Sequence, residues 1–250
     1  MINRIFLLAM VIVLAAGCQN TANNKEARAD KEEDGNKEQV KKYYSEGKLI
    51  KEVTFKNGIR NGICRNYYDD GRLRSTIWYE NGLKEDTAKW YYPEGMVFRT
   101  TPYKNDKLHG IQTKYYKTGR VQATLPYREG LRLQGLKEYL PYGGEPERYP
   151  TIEHSIRDQI DTPSGVVKVV TKLSNESTNV RFYKGSLIDG AFDPDKCQDI
   201  TASSGMGFVD LKPNAEKGKG YVDIIGVYIT RFGNKKIITT SIKLPYNNLY

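Results

Sequence analysis

The tyrosine pair Tyr43–Tyr44 is followed by Tyr67–Tyr68, Tyr91–Tyr92 and Tyr115–Tyr116, a period of 24 residues. No other feature constrains the fold as much. Four residues after each first tyrosine comes a glycine: Gly47, Gly71, Gly95 and Gly119. Ten residues on stand Val53, Ile77, Thr101 and Leu125, and twelve on stand Phe55, Tyr79, Tyr103 and Tyr127. Even offsets share one face of an extended chain, because strand side chains alternate with period two. A second turn follows at Asn57–Gly58, Asn81–Gly82, Asn105–Asp106 and Glu129–Gly130. Each unit therefore reads as a β-hairpin closed by a glycine turn and joined to its neighbour by another.

A lone hairpin is marginal in water, so it must pair with a like neighbour to cover its apolar face. Two strands per unit give a rise of roughly 10 Å per repeat, and four units a ribbon of roughly 40 Å with tyrosines in ladders along it. A degraded fifth copy, Glu138–Gly144, closes the array, with Gly135 one residue later than the period predicts. The YYxxG cores at 43, 67, 91 and 115, the Asn-Gly turns at Asn57 and Asn81, and the glycines after Asn61 and His109 resemble MORN-type repeats, in the variant found in YwqK-like antitoxin proteins. The resemblance covers residues 42–144 and implies a repeat scaffold; an immunity or antitoxin role is its further implication. Two departures stand out. Asp86 replaces the expected glycine, and Pro102 and Pro126 lie inside second strands, where a missing N–H predicts a bulge or an unpaired position.

Beyond Tyr149 the period is lost. The β-branched runs 166–173, 179–183, 221–232 and 237–244 predict a small β-sandwich, with Gly233–Asn234 turning the last two into a hairpin. The fold class expected is thus all-β: a single-layer hairpin array at 42–148, then a sandwich-like domain at 149–250.

The start of the chain bears on location. Arg4 precedes an apolar run of 12 residues, Ile5–Ala16, too short to span a bilayer, and Ala15-Ala16-Gly17-Cys18 ends it. The pattern resembles a bacterial lipoprotein signal, with Ala15 where leucine is favoured. It implies a signal peptide at 1–17, lipid on Cys18 and a membrane anchor in the cell envelope, the outer membrane in preference to the inner. Residues 18–41 carry many charges and no aromatic residue and read as a flexible tether.

Chemistry is sparse. The histidines, His109 and His154, show no metal-ligand spacing. Cys64 and Cys197 fall in different expected domains and read as unpaired thiols. Ser203–Gly207 lacks a nucleophile-elbow context, and Phe192–Lys196 lacks the ligand alternation of a calcium loop. Neither a catalytic site nor a cofactor or metal motif is recognised. Charge is more informative: residues 42–148 hold 20 Lys and Arg against 13 Asp and Glu, a net of +7 in a chain of +9. A basic, tyrosine-rich ribbon in an envelope suits a protein or an anionic surface or polymer, and nucleic acid poorly. Arg72, Arg74 and Arg120 are the candidate binding residues. The function expected is that of a lipid-anchored, non-enzymatic binding scaffold.

Overall fold

The structure is a computed structural model describing residues 37–250, apart from Glu147 and Ser203. The expected signal peptide, Cys18 and all but the last residues of the expected tether lie outside the described residues. Nineteen strands and one short 3-10 turn make up three antiparallel sheets, with no α-helix among the described residues.

The repeats form the first sheet. Its strands are β1 (Glu38–Ser45), β2 (Lys48–Lys56), β3 (Ile59–Tyr67), β4 (Leu73–Glu80), β5 (Leu83–Tyr91) and β6 (Val97–Lys104), then β7 (Lys107–Leu108), β8 (Gly110–Tyr115), β9 (Val121–Arg128), β10 (Leu131–Leu133) and β11 (Lys137–Glu138). Each pairs with its sequence neighbour, except that β6 pairs both β7 and β8, and β9 pairs both β10 and β11. β1 begins at Glu38, inside the stretch read as tether, and pairs along β2 from Glu38↔Lys56 to Ser45↔Lys48.

Two kinds of turn alternate after the first hairpin, which itself turns on two left-handed residues, Glu46 (φ 48°) and Gly47 (φ 75°). At the tyrosine pairs the Gly71 N–H donates to the Tyr68 carbonyl (2.9 Å) and the Tyr68 N–H to the Arg72 carbonyl (2.8 Å). Gly71 has φ +82°, the left-handed residue that closes a type I turn with a bulge. The same pair of bonds recurs at Tyr92/Gly95, Tyr116/Gly119 and Leu140/Gly143, so the degraded fifth copy keeps the turn after losing its tyrosine pair. At the other edge the chain turns on two left-handed residues, as at Asn57 (φ 52°) and Gly58 (φ 77°). These edge turns are linked: the N–H groups of Gly82, Asp106 and Gly130 donate to the carbonyls of Arg60, Lys84 and Leu108.

The prolines have a physical explanation. Pro102 pairs with Thr87 and Pro126 with Ile111 on the preceding strand. The Pro102 carbonyl accepts from His109 N–H (3.1 Å) on the following side, and in an extended residue N–H and C=O point the same way. The missing donor therefore faces the following strand, where the ladder skips between Thr100 and Tyr103. A matching irregularity lies between Val53 and Phe55 and between Thr76 and Trp78. Every unit thus has a bulge here, and proline exploits it. Asp86 occupies the bulge in the second unit at φ 58°, where Gly62 and Gly110 stand in others, and its Oδ1 accepts from Thr87 N–H at 2.6 Å. A short polar side chain can hold the left-handed conformation that glycine adopts freely.

The remaining strands are β12 (Ile152–Gln159), β13 (Val166–Leu173), β14 (Val180–Lys184), β15 (Ala191–Phe192), β16 (Gln198–Asp199), β17 (Gly207–Leu211), β18 (Tyr221–Ile229) and β19 (Lys235–Lys243). They form sheets β12-β13-β17 and β16-β14-β18-β19, while β15 joins the first sheet beside β10. The predicted strand runs at 166–173, 179–183, 221–232 and 237–244 correspond to β13, β14, β18 and β19. The β18–β19 hairpin is one step wider than expected: Thr230 N–H donates to the Asn234 carbonyl, and Arg231, Phe232 and Gly233 form the tip. The two sheets share one core, with Val167 and Val169 on one side and Phe182 and Ile224 on the other, all 0% exposed.

Candidate functional site: an aromatic–cation face on the repeats

The paired tyrosines have different jobs. The second donates its hydroxyl to the carbonyl of the first tyrosine in the next unit: Tyr68 to Tyr91 (2.6 Å) and Tyr92 to Tyr115 (2.9 Å). Tyr116 repeats the contact with Tyr139 (2.8 Å). This is the expected ladder, and it knits units along the YYxxG edge. Of the first tyrosines, Tyr43 is exposed, while Tyr67 donates to Glu52 Oε2 (2.6 Å), which burial and that bond turn into a phenol with a pKa of about 12.

Arg72, Arg74 and Arg120 also stand on the YYxxG side, exposed. Arg72 is forked onto its own turn, with Nε and a terminal nitrogen on Asp70 Oδ2 at 2.9 and 2.6 Å. Arg120 reaches the Pro141 carbonyl at 3.4 Å. Arg72 and Arg120 belong to units two apart, a separation of roughly 20 Å. The structure does not draw the three into one cluster.

A different set of cations is brought together toward the opposite edge. Register places Phe55 against Arg60, Tyr79 between Gly62 and Lys84, and Tyr103 between Asp86 and Leu108. Aromatic and cationic side chains consequently alternate across the strands on one face. Lys41 Nζ lies 5.0 Å from the Phe55 ring centre, Arg60 Cζ 5.3 Å from Tyr79, and Lys84 Nζ 5.3 Å from Tyr103. Arg132 Cζ lies 4.9 Å from Tyr127 in the fourth unit. Cations over ring faces at these distances are attracted by the ring quadrupole. Between Phe55 and Lys84 the face opens into a groove of about 720 Å³, with Arg60, Tyr79 and Asp106 in its lining. Asp106 is already engaged: its Oδ1 accepts from Lys84 N–H at 2.9 Å.

The row is backed by a small buried cluster: Val53 and Cys64 pack with Tyr79, which is 7% exposed, and Phe55 and Ile77 lie against them. A second row carries Trp90 and Arg99, whose guanidinium carbon sits 4.0 Å from the Trp90 ring. Burial pushes the Arg99 pKa down, and its Nε is buried with no hydrogen-bond partner.

That second row ends on a polar hub which the sequence reading missed. Glu138 is 2% exposed, and its carboxylate accepts from Thr230 Oγ1 (2.7 Å), Asn234 Nδ2 (2.5 Å) and the Tyr149 hydroxyl (2.9 Å). Lys114 Nζ donates to Asn234 Oδ1 (2.6 Å), and Lys236 Nζ lies 3.9 Å from the Tyr149 ring. Burial lowers the pKa of both lysines and raises that of Tyr149, where the Glu138 bond adds to it. The hub ties the repeat sheet to β18 and β19. A signal for it was available: positions 66, 90, 114 and 138 are equivalent, and only the last carries a carboxylate.

The remaining reactive side chains sit in structural surroundings. His109 is at a bulge with Nδ1 3.0 Å from Glu129 Oε1, and His154 is exposed on β12. Cys64 and Cys197 are free thiols, the first buried in the repeats and the second packed with Tyr183 and Ile225. Burial pushes both thiols up, away from the thiolate a nucleophile requires. Asp193 caps the 3-10 turn Pro194–Lys196, and no group of three or more metal-ligating residues occurs among the described residues.

The family model for the MORN repeat variant matches residues 39–57, 87–105 and 108–129. These stretches correspond to the hairpins β1–β2, β5–β6 and, with β7, β8–β9. The β3–β4 hairpin lies outside the matches yet carries the same turn and the same tyrosine ladder. No curated protein matches the chain.

Proposed function

We propose that this protein is a non-enzymatic binding scaffold, held at a bacterial envelope membrane by lipid on Cys18, whose repeat sheet grips an extended anionic polymer of the envelope. The observation that carries the reading is the alternation of cations and rings from Lys41 through Tyr103, with an open groove between Phe55 and Lys84. A periodic surface repeating roughly every 10 Å suits a periodic ligand, such as a polysaccharide bearing carboxylates. The partly exposed rings of Phe55 and Tyr103 add apolar contact beside the cations, and cations near an anionic surface contribute about 1 kcal/mol each. The net charge of +7 on residues 42–148 acts in the same direction at longer range. The match to MORN repeat variants supports the scaffold part, and the Ala15–Cys18 pattern supports the anchor.

The test uses the Cys18→Ser chain and immobilised alginate as an acidic polysaccharide. Binding is expected to weaken with salt, and a Lys41→Gln/Arg60→Gln/Lys84→Gln triple to lose about tenfold or more in affinity. The Arg72→Gln/Arg74→Gln/Arg120→Gln triple is expected to lose less, because Asp70 and the Pro141 carbonyl already engage two of its members. Unchanged binding by both triples refutes the reading. Labelled palmitate appearing in the parent but not in Cys18→Ser tests the anchor separately.

A further inference from the structure

A cavity of about 750 Å³ lies where β10 meets the sandwich, within the size range of small-molecule sites. Its walls are mainly branched aliphatic side chains: Leu131, Val180, Val227, Ile229 and Ile237, with Phe192 beside them. Arg132, Arg181 and Lys235 also line it, and among the described residues no carboxylate does. The three cations are not equivalent. Arg181 is paired with Asp199. Lys235 is exposed and forms no ion pair among the described residues. Arg132 donates through its terminal nitrogens to the Tyr127 hydroxyl and the Lys235 carbonyl, while its Nε is buried without a partner. Two cations without a carboxylate beside them leave that end of the cavity positive, and a carboxylate is the group that pairs with a guanidinium and an ammonium together.

We propose that this cavity binds one fatty-acid carboxylate, with its chain against Val180, Val227 and Ile237 and its head between the Arg132 guanidinium and the unpaired Lys235. A wall of aliphatic groups selects the chain, and a cationic end without a competing acid selects the head. The hairpin repeats contribute only Gly130, Leu131 and Arg132, so the site depends on the junction.

The test is a titration of the Cys18→Ser chain, labelled at isoleucine methyl groups, with laurate below its micellar concentration. Saturable shifts are expected at Ile229 and Ile237 and none at Ile63, which lies in β3. Arg132→Gln should weaken laurate about tenfold, and dodecanol should bind the parent about tenfold less well than laurate. Ile229→Trp, filling the cavity from a partly exposed wall, should abolish the shift at Ile237 while leaving Ile63 in place. No saturable shift, equal binding of dodecanol, or undiminished binding by Arg132→Gln overturns the proposal. Such a failure leaves the scaffold reading intact, because Lys41, Arg60 and Lys84 lie outside this cavity.

Discussion

The repeat sheet and the C-terminal sandwich are both antiparallel, but they solve the problem of burial differently. In the sandwich, two sheets face each other and a single cluster collects Val167, Leu173, Phe182, Leu211, Ile224 and Ile242 at no more than 1% exposure. In the repeats the clusters are small, Val53–Cys64–Tyr79 at one end and Ala123–Leu125–Leu136 at the other. Between them the central row carries Ala88, Thr101 and Gln112. What the repeats lack in apolar volume they replace with tyrosine hydroxyls bonded to backbone, cations on rings and linked turns. The first solution concentrates stability, and the second distributes it over units that each contribute little. A distributed sheet leaves its cations at a surface, beside rings that are partly exposed at Phe55 and Tyr103.

The sharpest way to break this contrast is to remove one large side chain from each region. Phe182→Ala, at 0% exposure in the shared core, should cost about 3–5 kcal/mol in denaturant unfolding. Tyr79→Ala, in a three-residue cluster, should cost well under half of that. Equal losses would mean that the two regions do not differ in the way described.

Next in size is the hub that joins them. Glu138→Ala leaves Thr230, Asn234 and Tyr149 without their shared acceptor and should cost about 3 kcal/mol. Both tryptophans, Trp78 and Trp90, lie in the repeats, so their fluorescence follows that region alone. In the parent, the fluorescence and circular dichroism transitions should coincide. In Glu138→Ala the fluorescence transition should move to lower denaturant, because the repeats lose the support of the sandwich. Coincident transitions in the variant would show that the coupling runs elsewhere.

The two regions also differ in how far their sequences disclose them. Periodicity exposed the hairpins because Tyr68–Gly71, Tyr92–Gly95 and Tyr116–Gly119 share one set of backbone bonds, and the bonds persist at Leu140–Gly143 where only the glycine is kept. The sandwich strands were legible as β-branched runs, since burial between sheets demands apolar groups on the inner face. The candidate face was harder to read. Arg60, Lys84 and Arg132 come from β3, β5 and β10, while Phe55, Tyr79 and Tyr127 come from the strands that precede them, and only cross-strand register with its bulges brings them together. The candidate binding arginines chosen from the sequence include Arg72, which its own turn engages through Asp70. Glu138 and the junction cavity rest on contacts about 100 residues apart in sequence, which no local pattern encodes.

Acidity should separate the regions again, by a smaller amount. Burial holds the pKa values of Lys114 and Lys236 below the 10.5 of a free lysine, so between the folded and unfolded values the unfolded chain binds more protons. Stability therefore rises as pH rises through that window toward 10.5, and is lower beneath it, where both lysines are charged in either state. Cys64 and Cys197 oppose this above about 9 and Tyr149 above about 10, since their raised pKa values make the folded state retain protons that the unfolded chain has lost, so the lysine contribution is read from the difference between parent and variant. Lys114→Met should make the slope less positive than the parent's, as measured by denaturant midpoints across pH. A slope unchanged by the substitution would remove Lys114 from the account.

The smallest effect tests the ladder from within the repeats. Tyr92→Phe deletes the hydroxyl that bonds to the Tyr115 carbonyl and should cost about 1 kcal/mol. Tyr44→Phe removes the equivalent atom from the first unit, where the side chain is 60% exposed and forms no such bond, and should cost almost nothing. Tyr68→Phe and Tyr116→Phe should resemble Tyr92→Phe, since each hydroxyl meets a carbonyl of the next unit at 2.6 and 2.8 Å. The double variant Tyr68→Phe/Tyr116→Phe should then lose the sum of the two, because the sites lie two units apart and share no partner. A loss well beyond the sum would mean that the repeats unfold as one cooperative block, so that stability is not distributed unit by unit.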